Sequence, residues 1–201
     1  MAEDGNGDGE TEEGDEEEEL PYLWKPIPSE FHSFLSDGPF EECAVCGCHL
    51  LEDGAAYMVE KAFEGEETVF EYAICLPCRT DLCSELSVGS MRVVEQFFEE
   101  HVNLQKRRQE MHEAHGMDHQ PWIGKCVICG EPDGKCKWRQ MFAFCDGPDL
   151  VFTEFAPAMI CGKEVERVYG LLSKKTKERL GDFTNDICGS PADQVDFPVL
   201  F

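Results

Sequence analysis

Residues 72–86 read YAICLPCRTDLCSEL and residues 158–172 read AMICGKEVERVYGLL. Laid over one another at an offset of 86, Ile74 falls on Ile160, Cys75 on Cys161, Leu82 on Val168 and Leu86 on Leu172. The match continues with Ser87 on Ser173, Val94 on Leu180 and Phe97 on Phe183. Apolar agreement at the spacing of one helix face, over some 24 ungapped positions, predicts that both stretches open a helix headed by a cysteine. It also predicts that the chain holds two copies of one unit.

Upstream the same comparison works at an offset of 83. Cys43 falls on Cys126, Val45 on Ile128, Cys46 on Cys129, Gly47 on Gly130 and Met58 on Met141. Three residues inserted in the second hairpin reconcile the two offsets. Each copy then reads as a CxxCG turn, two β-rich runs and a helix. The runs are YMVEKAF and TVFEYAI in the first copy, WRQMFAF and LVFTEFA in the second. From Ser90, placed as a cap, to a stop at Gly116, a stripe of Met91, Val94, Phe98 and Val102 predicts one long helix between the copies. The expected fold is therefore α+β: a tandem duplication of two small hairpin-plus-helix units joined by a long helix.

The boundaries follow from composition. Residues 1–20 hold 11 of the 42 acidic side chains and no Lys or Arg, which predicts a disordered acidic tail. Within it Asp4, Asn6, Asp8 and Gly9 approach a calcium-loop spacing, but three residues cannot form the entering helix. Residues 21–42 read as an aromatic and proline-rich strap on the first unit, with Ser29 capping a short helix through Phe31, Phe34 and Leu35. Residues 43–98 form the first unit, 99–121 the linker helix and connection, and 122–185 the second, degenerate unit. Residues 186–201 form a C-terminal tail ending in Phe197, Val199, Leu200 and Phe201.

Twelve cysteines in a chain with no signal-peptide pattern read as metal ligands in a reducing, cytoplasmic setting rather than as a disulfide framework. Cys43-x2-Cys46 and Cys75-x2-Cys78, brought together by a hairpin, give the four thiolates of a tetrahedral structural zinc site. Cys48 and Cys83 read as buried fillers. This layout resembles the treble-clef group of zinc-binding modules over residues 43 to about 98 and, less completely, 126 to about 183. The resemblance implies a knuckle, a hairpin and a helix that begins at the last ligand pair, and it implies no activity.

The second copy keeps Cys126, Cys129 and Cys161 and puts Glu164 at the fourth place. Three readings stay open there: a zinc site completed by the Glu164 carboxylate, a site completed by Cys136, Cys145 or Cys188, or a unit that has lost its metal.

Function is narrowed mainly by exclusion. The net charge is −25, and beyond the tail 31 acids still face 17 bases, which argues against nucleic acid and membrane surfaces and for a basic protein partner. No HExxH, nucleophile elbow or phosphate loop is present, and His112, His115 and His119 read as a solvated helix end. The expectation is a zinc-stabilised, non-catalytic interaction or adaptor protein with an acidic surface. Two alternatives stand beside it. One is a thiol-disulfide redox protein using Cys75 and Cys78, whose helix-start position lowers a thiol pKa. The other is a zinc-finger regulator associated with nucleic acid through Lys174, Lys175, Lys177 and Arg179.

Overall fold

The computed structural model describes residues 23–188; the acidic tail and the apolar cluster at 197–201 lie outside the described residues. In chain order the strands are β1 (Leu23–Pro26), β2 (Ala56–Glu64), β3 (Glu67–Cys75), β4 (Trp138–Asp146), β5 (Asp149–Phe152) and β6 (Ala158–Cys161). The helices are α1 (Leu76–Glu85), α2 (Val88–His101), α3 (Leu104–His115), α4 (Gln120–Ile123), α5 (Gly162–Leu171) and α6 (Lys174–Cys188). The class is α+β, as expected. No helix among the described residues is long and apolar enough to cross a membrane.

The β-rich runs form the strands their composition predicts, but the halves do not stand as two beads on a long helix. β2 pairs with β4 along nine antiparallel residue pairs, from Ala56↔Asp146 to Glu64↔Trp138, so all six strands belong to one sheet. The order is β1-β5-β4-β2-β3, with β6 also on β4. In the middle of the ladder Val59 faces Ala143 and Glu60 faces Phe142. At the offset of 83 the equivalent of Val59 is Phe142 and that of Glu60 is Ala143, so the halves meet about an approximate two-fold axis. Residues 57–62 of β2 and 140–143 of β4 are buried throughout, so both faces of the central sheet are covered. One hydrophobic core runs through both halves.

The insertion falls within the second hairpin, as expected, but not at its turn. The β4–β5 turn at Gly147 and Pro148 is as tight as the β2–β3 turn at Gly65 and Glu66; the extra residues instead split the second strand of the hairpin into β5 and β6. The loop between them is held by the Arg107 guanidinium. It donates to the carbonyls of Glu154 (3.3 Å), Phe155 (3.0 Å) and Pro157 (3.0 Å) and lies over the Trp122 ring. Burial of the charge lowers the Arg107 pKa to about 10.

The predicted long helix is two helices. Val102 is extended, and Asn103 caps α3 by accepting from the Lys106 N–H at 2.9 Å. The run after Cys75 likewise breaks at Leu86, and the run after Cys161 at Leu172, both extended. The caps are Ser87, which accepts from the Ser90 N–H at 3.1 Å, and Ser173, which accepts from the Thr176 N–H at 3.3 Å. Ser90, expected as a cap, is buried inside α2.

These four hydroxyls meet between the halves. The Ser87 N–H donates to Thr176 Oγ1 at 3.1 Å, the Ser173 N–H donates to Ser90 Oγ at 2.9 Å, and Thr176 Oγ1 donates to Ser90 Oγ at 3.1 Å. Each half thus satisfies a backbone donor of the other. The helices follow the same exchange: α2 packs on α5, with Arg167 over the Phe97 ring, while Phe183 of α6 meets Tyr72 of β3 at 5.4 Å.

The strap is also different in kind. Leu23–Pro26 is a strand on β5 of the second half, and Ser29–Phe31 is a single 3-10 turn whose cap is Pro28. Phe31 is buried, but Phe34 and Leu35 project into solvent.

Thr176→Val is expected to strand the Ser87 N–H and to lower stability by about 1–3 kcal/mol. Ser90→Ala does the same to the Ser173 N–H. Because the two share one hydrogen bond, the double variant should lose less than the sum, measured by urea unfolding.

Candidate metal centre

The first cysteine turn is built by backbone rather than by packing. Cys43 N–H donates to the Cys48 carbonyl at 2.9 Å and Gly47 N–H to the Cys43 carbonyl at 2.9 Å, with Gly47 at φ 69°. That left-handed value favours glycine at this place. The turn is tied to the hairpin by Ala44 N–H on the Ala73 carbonyl (2.9 Å) and by Cys75 N–H on Cys43 Sγ (3.4 Å). Residues 44–49 are exposed.

The sulfurs of Cys43, Cys46, Cys48 and Cys75 all lie within 4.8 Å of one another. Cys46 and Cys75 are 3.8 Å apart, Sγ to Sγ. A tetrahedral zinc with bonds of about 2.3 Å has sulfur–sulfur edges of about 3.8 Å, so the donor set fits such an ion. Cys78, in the first turn of α1, is close enough to act on Cys75, Cys46 and Cys43. Cys78 thus stands beside the group and is not one of the four sulfurs that lie within 4.8 Å of one another. Cys48 is not the buried filler that the sequence suggested; it is exposed and converges with the others. Its signal was its place directly after the knuckle glycine in CGC, where the tight turn folds it back over Cys43. Cys83 is half-buried on α1 and stands outside the group.

Without a cation, five thiols so close cannot all ionise. Cys46 takes the charge: the Cys48 backbone N–H, followed by the thiols of Cys48, Cys78 and Cys43, lowers its pKa to about 6. The others move the opposite way. Cys48 is raised by the Cys46 thiolate first and desolvation second, while Cys75 and Cys78 are raised by desolvation first. A dication reverses this, since it binds thiolates and releases their protons.

The second turn repeats the first bond for bond. Cys126 N–H donates to the Glu131 carbonyl (2.8 Å), Gly130 N–H at φ 72° to the Cys126 carbonyl (2.8 Å), and Val127 N–H to the Met159 carbonyl (2.8 Å). Cys161 N–H donates to Cys126 Sγ at 3.4 Å. The sulfurs of Cys126, Cys129 and Cys161 converge within 4.8 Å, and Cys129 and Cys161 are 3.6 Å apart.

Glu164 is not part of that group. Its carboxylate is buried and faces Arg167 at 3.3 Å and Lys163 at 3.9 Å; only its backbone N–H serves Cys161. Beside the three sulfurs is a cavity of about 320 Å³, walled by Cys129, Cys161, Cys136, Glu131, Gly162 and Trp138 among others. A Cβ at Gly162 would collide with the Trp138 ring, so glycine there admits the indole that closes one side. Cys145 lies opposite Tyr57, at the other end of β4.

The histidines do not converge: His112 and His115 end α3, whereas His119 is buried against Glu30 (3.1 Å) and Lys25 (3.2 Å). Three of the four basic residues of this α6 cluster are engaged locally, Lys174 with Glu178 at 3.3 Å, Lys177 with the Gly170 carbonyl at 3.3 Å, and Arg179 with Glu85, while Lys175 is exposed. No protein family, no curated protein and no solved structure matches this chain.

In metal-free protein, alkylation should start at Cys46, its rate rising through pH of about 6 and levelling above it, because a lowered pKa leaves thiolate present on the alkaline side. Peptide mapping after iodoacetamide at several pH values reads this. Added zinc should suppress it across the range.

Proposed function

We propose that the chain is a zinc-stabilised interaction protein, built as a tandem duplication of two treble-clef-like units, with no catalysis and with a basic protein as partner. The observation that carries the reading is the convergence of the first-site sulfurs at the edge length of a zinc tetrahedron. Cys43, Cys46 and Cys75 supply three ligands. For the fourth we take Cys78, at the start of α1, over Cys48, although it is the Cys48 sulfur that lies within 4.8 Å of the other three. The repeated turns and the helix pairs at a constant offset of 86 support the duplication.

A closed set of four thiolates leaves no coordination position for substrate, which favours a structural ion. Burial raises the pKa of Cys75, opposite to what an attacking redox thiol needs. Three of the four basic side chains of α6 face acids and carbonyls of their own chain, which leaves little to meet a phosphate backbone.

For a contact surface, the loop after the 3-10 turn is the best formed. Phe34 and Leu35 are 75% and 92% exposed, yet their backbone is fixed. The Glu71 carboxylate accepts from the Phe34 N–H (2.8 Å) and the Ser33 hydroxyl (3.0 Å), and it is ion-paired with Lys61 at 3.0 Å. An apolar pair held in one geometry on a chain of charge −25 suits a partner that is apolar at its centre and basic at its rim.

Zinc has a local task here. The core spans both halves, so the sheet does not depend on the ion as an isolated finger would. Removing zinc with a strong chelator is expected to lower Tm and to abolish hydrogen-exchange protection at residues 43–50, while β2 and β4 keep theirs. Unchanged protection at 43–50, together with native mass spectrometry showing no bound zinc, would refute the reading.

A further inference from the structure

We propose that the second cluster is a four-sulfur site for a thiophilic dication, with Cys136 as the fourth ligand beside Cys126, Cys129 and Cys161. This deepens the zinc reading above and rests on it. The three converged sulfurs have the same backbone support as the first site and a comparable edge, 3.6 Å between Cys129 and Cys161. Three thiolates in one corner require a cation to ionise together, and soft donors select zinc or a similar metal.

The fourth place is the question. Glu164 stands where the helix would supply it, but its carboxylate is already matched: Oε2 meets Arg167 at 3.3 Å and Oε1 meets Lys163 at 3.9 Å, with 3% of the side chain exposed. Arg167 is itself fixed, by His101 Nε2 at 2.9 Å and by the Phe97 ring. Turning the carboxylate to an ion would break its pairing with Arg167 within α5 and leave that guanidinium without its acid. Cys145 is excluded by its place at the far end of β4.

Cys136 satisfies the remaining conditions. It lines the same cavity as Cys129 and Cys161, although its sulfur is not among those that lie within 4.8 Å of one another. That thiol has a weak contact, to the Pro132 carbonyl at 3.4 Å. It follows a single 3-10 turn, Asp133–Lys135, in an exposed stretch of chain. Completing a tetrahedron requires this turn to bring the thiol in to the three sulfurs, a movement that leaves the sheet in place because the turn precedes β4. In the first half the equivalent position is Asp53, so the second site would take its last sulfur from the start of the hairpin, and the first from the helix.

The test uses the full chain loaded with cadmium, whose NMR shift reports how many sulfurs bind each ion. Wild type should give two resonances in the four-sulfur range. Cys136→Ser should move one of them upfield, to the three-sulfur range, and leave the other in place, which also shows that the variant is folded. Glu164→Gln, Glu131→Gln and Cys188→Ser should leave both unmoved. A second resonance already in the three-sulfur range, one that ignores Cys136→Ser, one that moves with Glu164, Glu131 or Cys188, or no second resonance at all overturns the proposal. Loss of both resonances would refute the first-site reading too, an outcome separate from loss of the second alone.

Discussion

The nine-pair ladder between β2 and β4 is the constraint on which the rest of the molecule depends. It turns two short hairpins, each too small to bury its own faces, into one sheet whose central strands are covered on both sides. Once that ladder forms, each helix pair is brought against the opposite half, and the hydroxyls of Ser90 and Thr176 each accept from the backbone of the other half's cap as well as bonding their own. Packing across the axis therefore supplies stability that isolated small metal modules draw from their ion.

The division of labour between core and metal follows from this. The first cysteine turn contributes little to the core: residues 44–49 are exposed, and the turn is held by a few backbone bonds and by sulfur, whereas Val127 and Ile128 of the second turn rest against the core. Ligation at such a place orders a surface feature on a scaffold that already exists. The tight glycines at Gly47 and Gly130 serve the same end, since each lets the chain reverse within the span of one ligand pair.

Much of this was legible in the chain, and the failures have physical causes. The hairpin strands were visible as β-branched and aromatic runs, and the cysteine turns as CxxCG, because both are local signals. The breaks at Leu86 and Leu172 were written in Ser87-x2-Ser90 and Ser173-x2-Thr176, but a continuous apolar stripe on either side outweighed the cap. The ladder between halves had no local signal at all, because it joins residues more than seventy apart in the chain. At the sites, sequence spacing gave the sulfurs that the turns fix. It failed for Cys48, which reaches the group through a backward fold of the turn, and for Glu164, whose carboxylate is claimed by a neighbouring guanidinium.

The two cysteine groups occupy opposite ends of the shared sheet. Cys75 is opposite Tyr57 and Cys161 opposite Arg139, which is itself opposite Phe63. Tyr57 and Phe63 are six residues apart on one strand, so the groups are separated by about 20 Å at the usual rise per residue. That is more than twice the screening distance of roughly 8 Å in physiological salt. Neither ion would sense the charge of the other, and neither could borrow its donors. If both groups hold an ion, each end would fill on its own scale of free metal, and at low metal one end would be ordered while the other stayed loose.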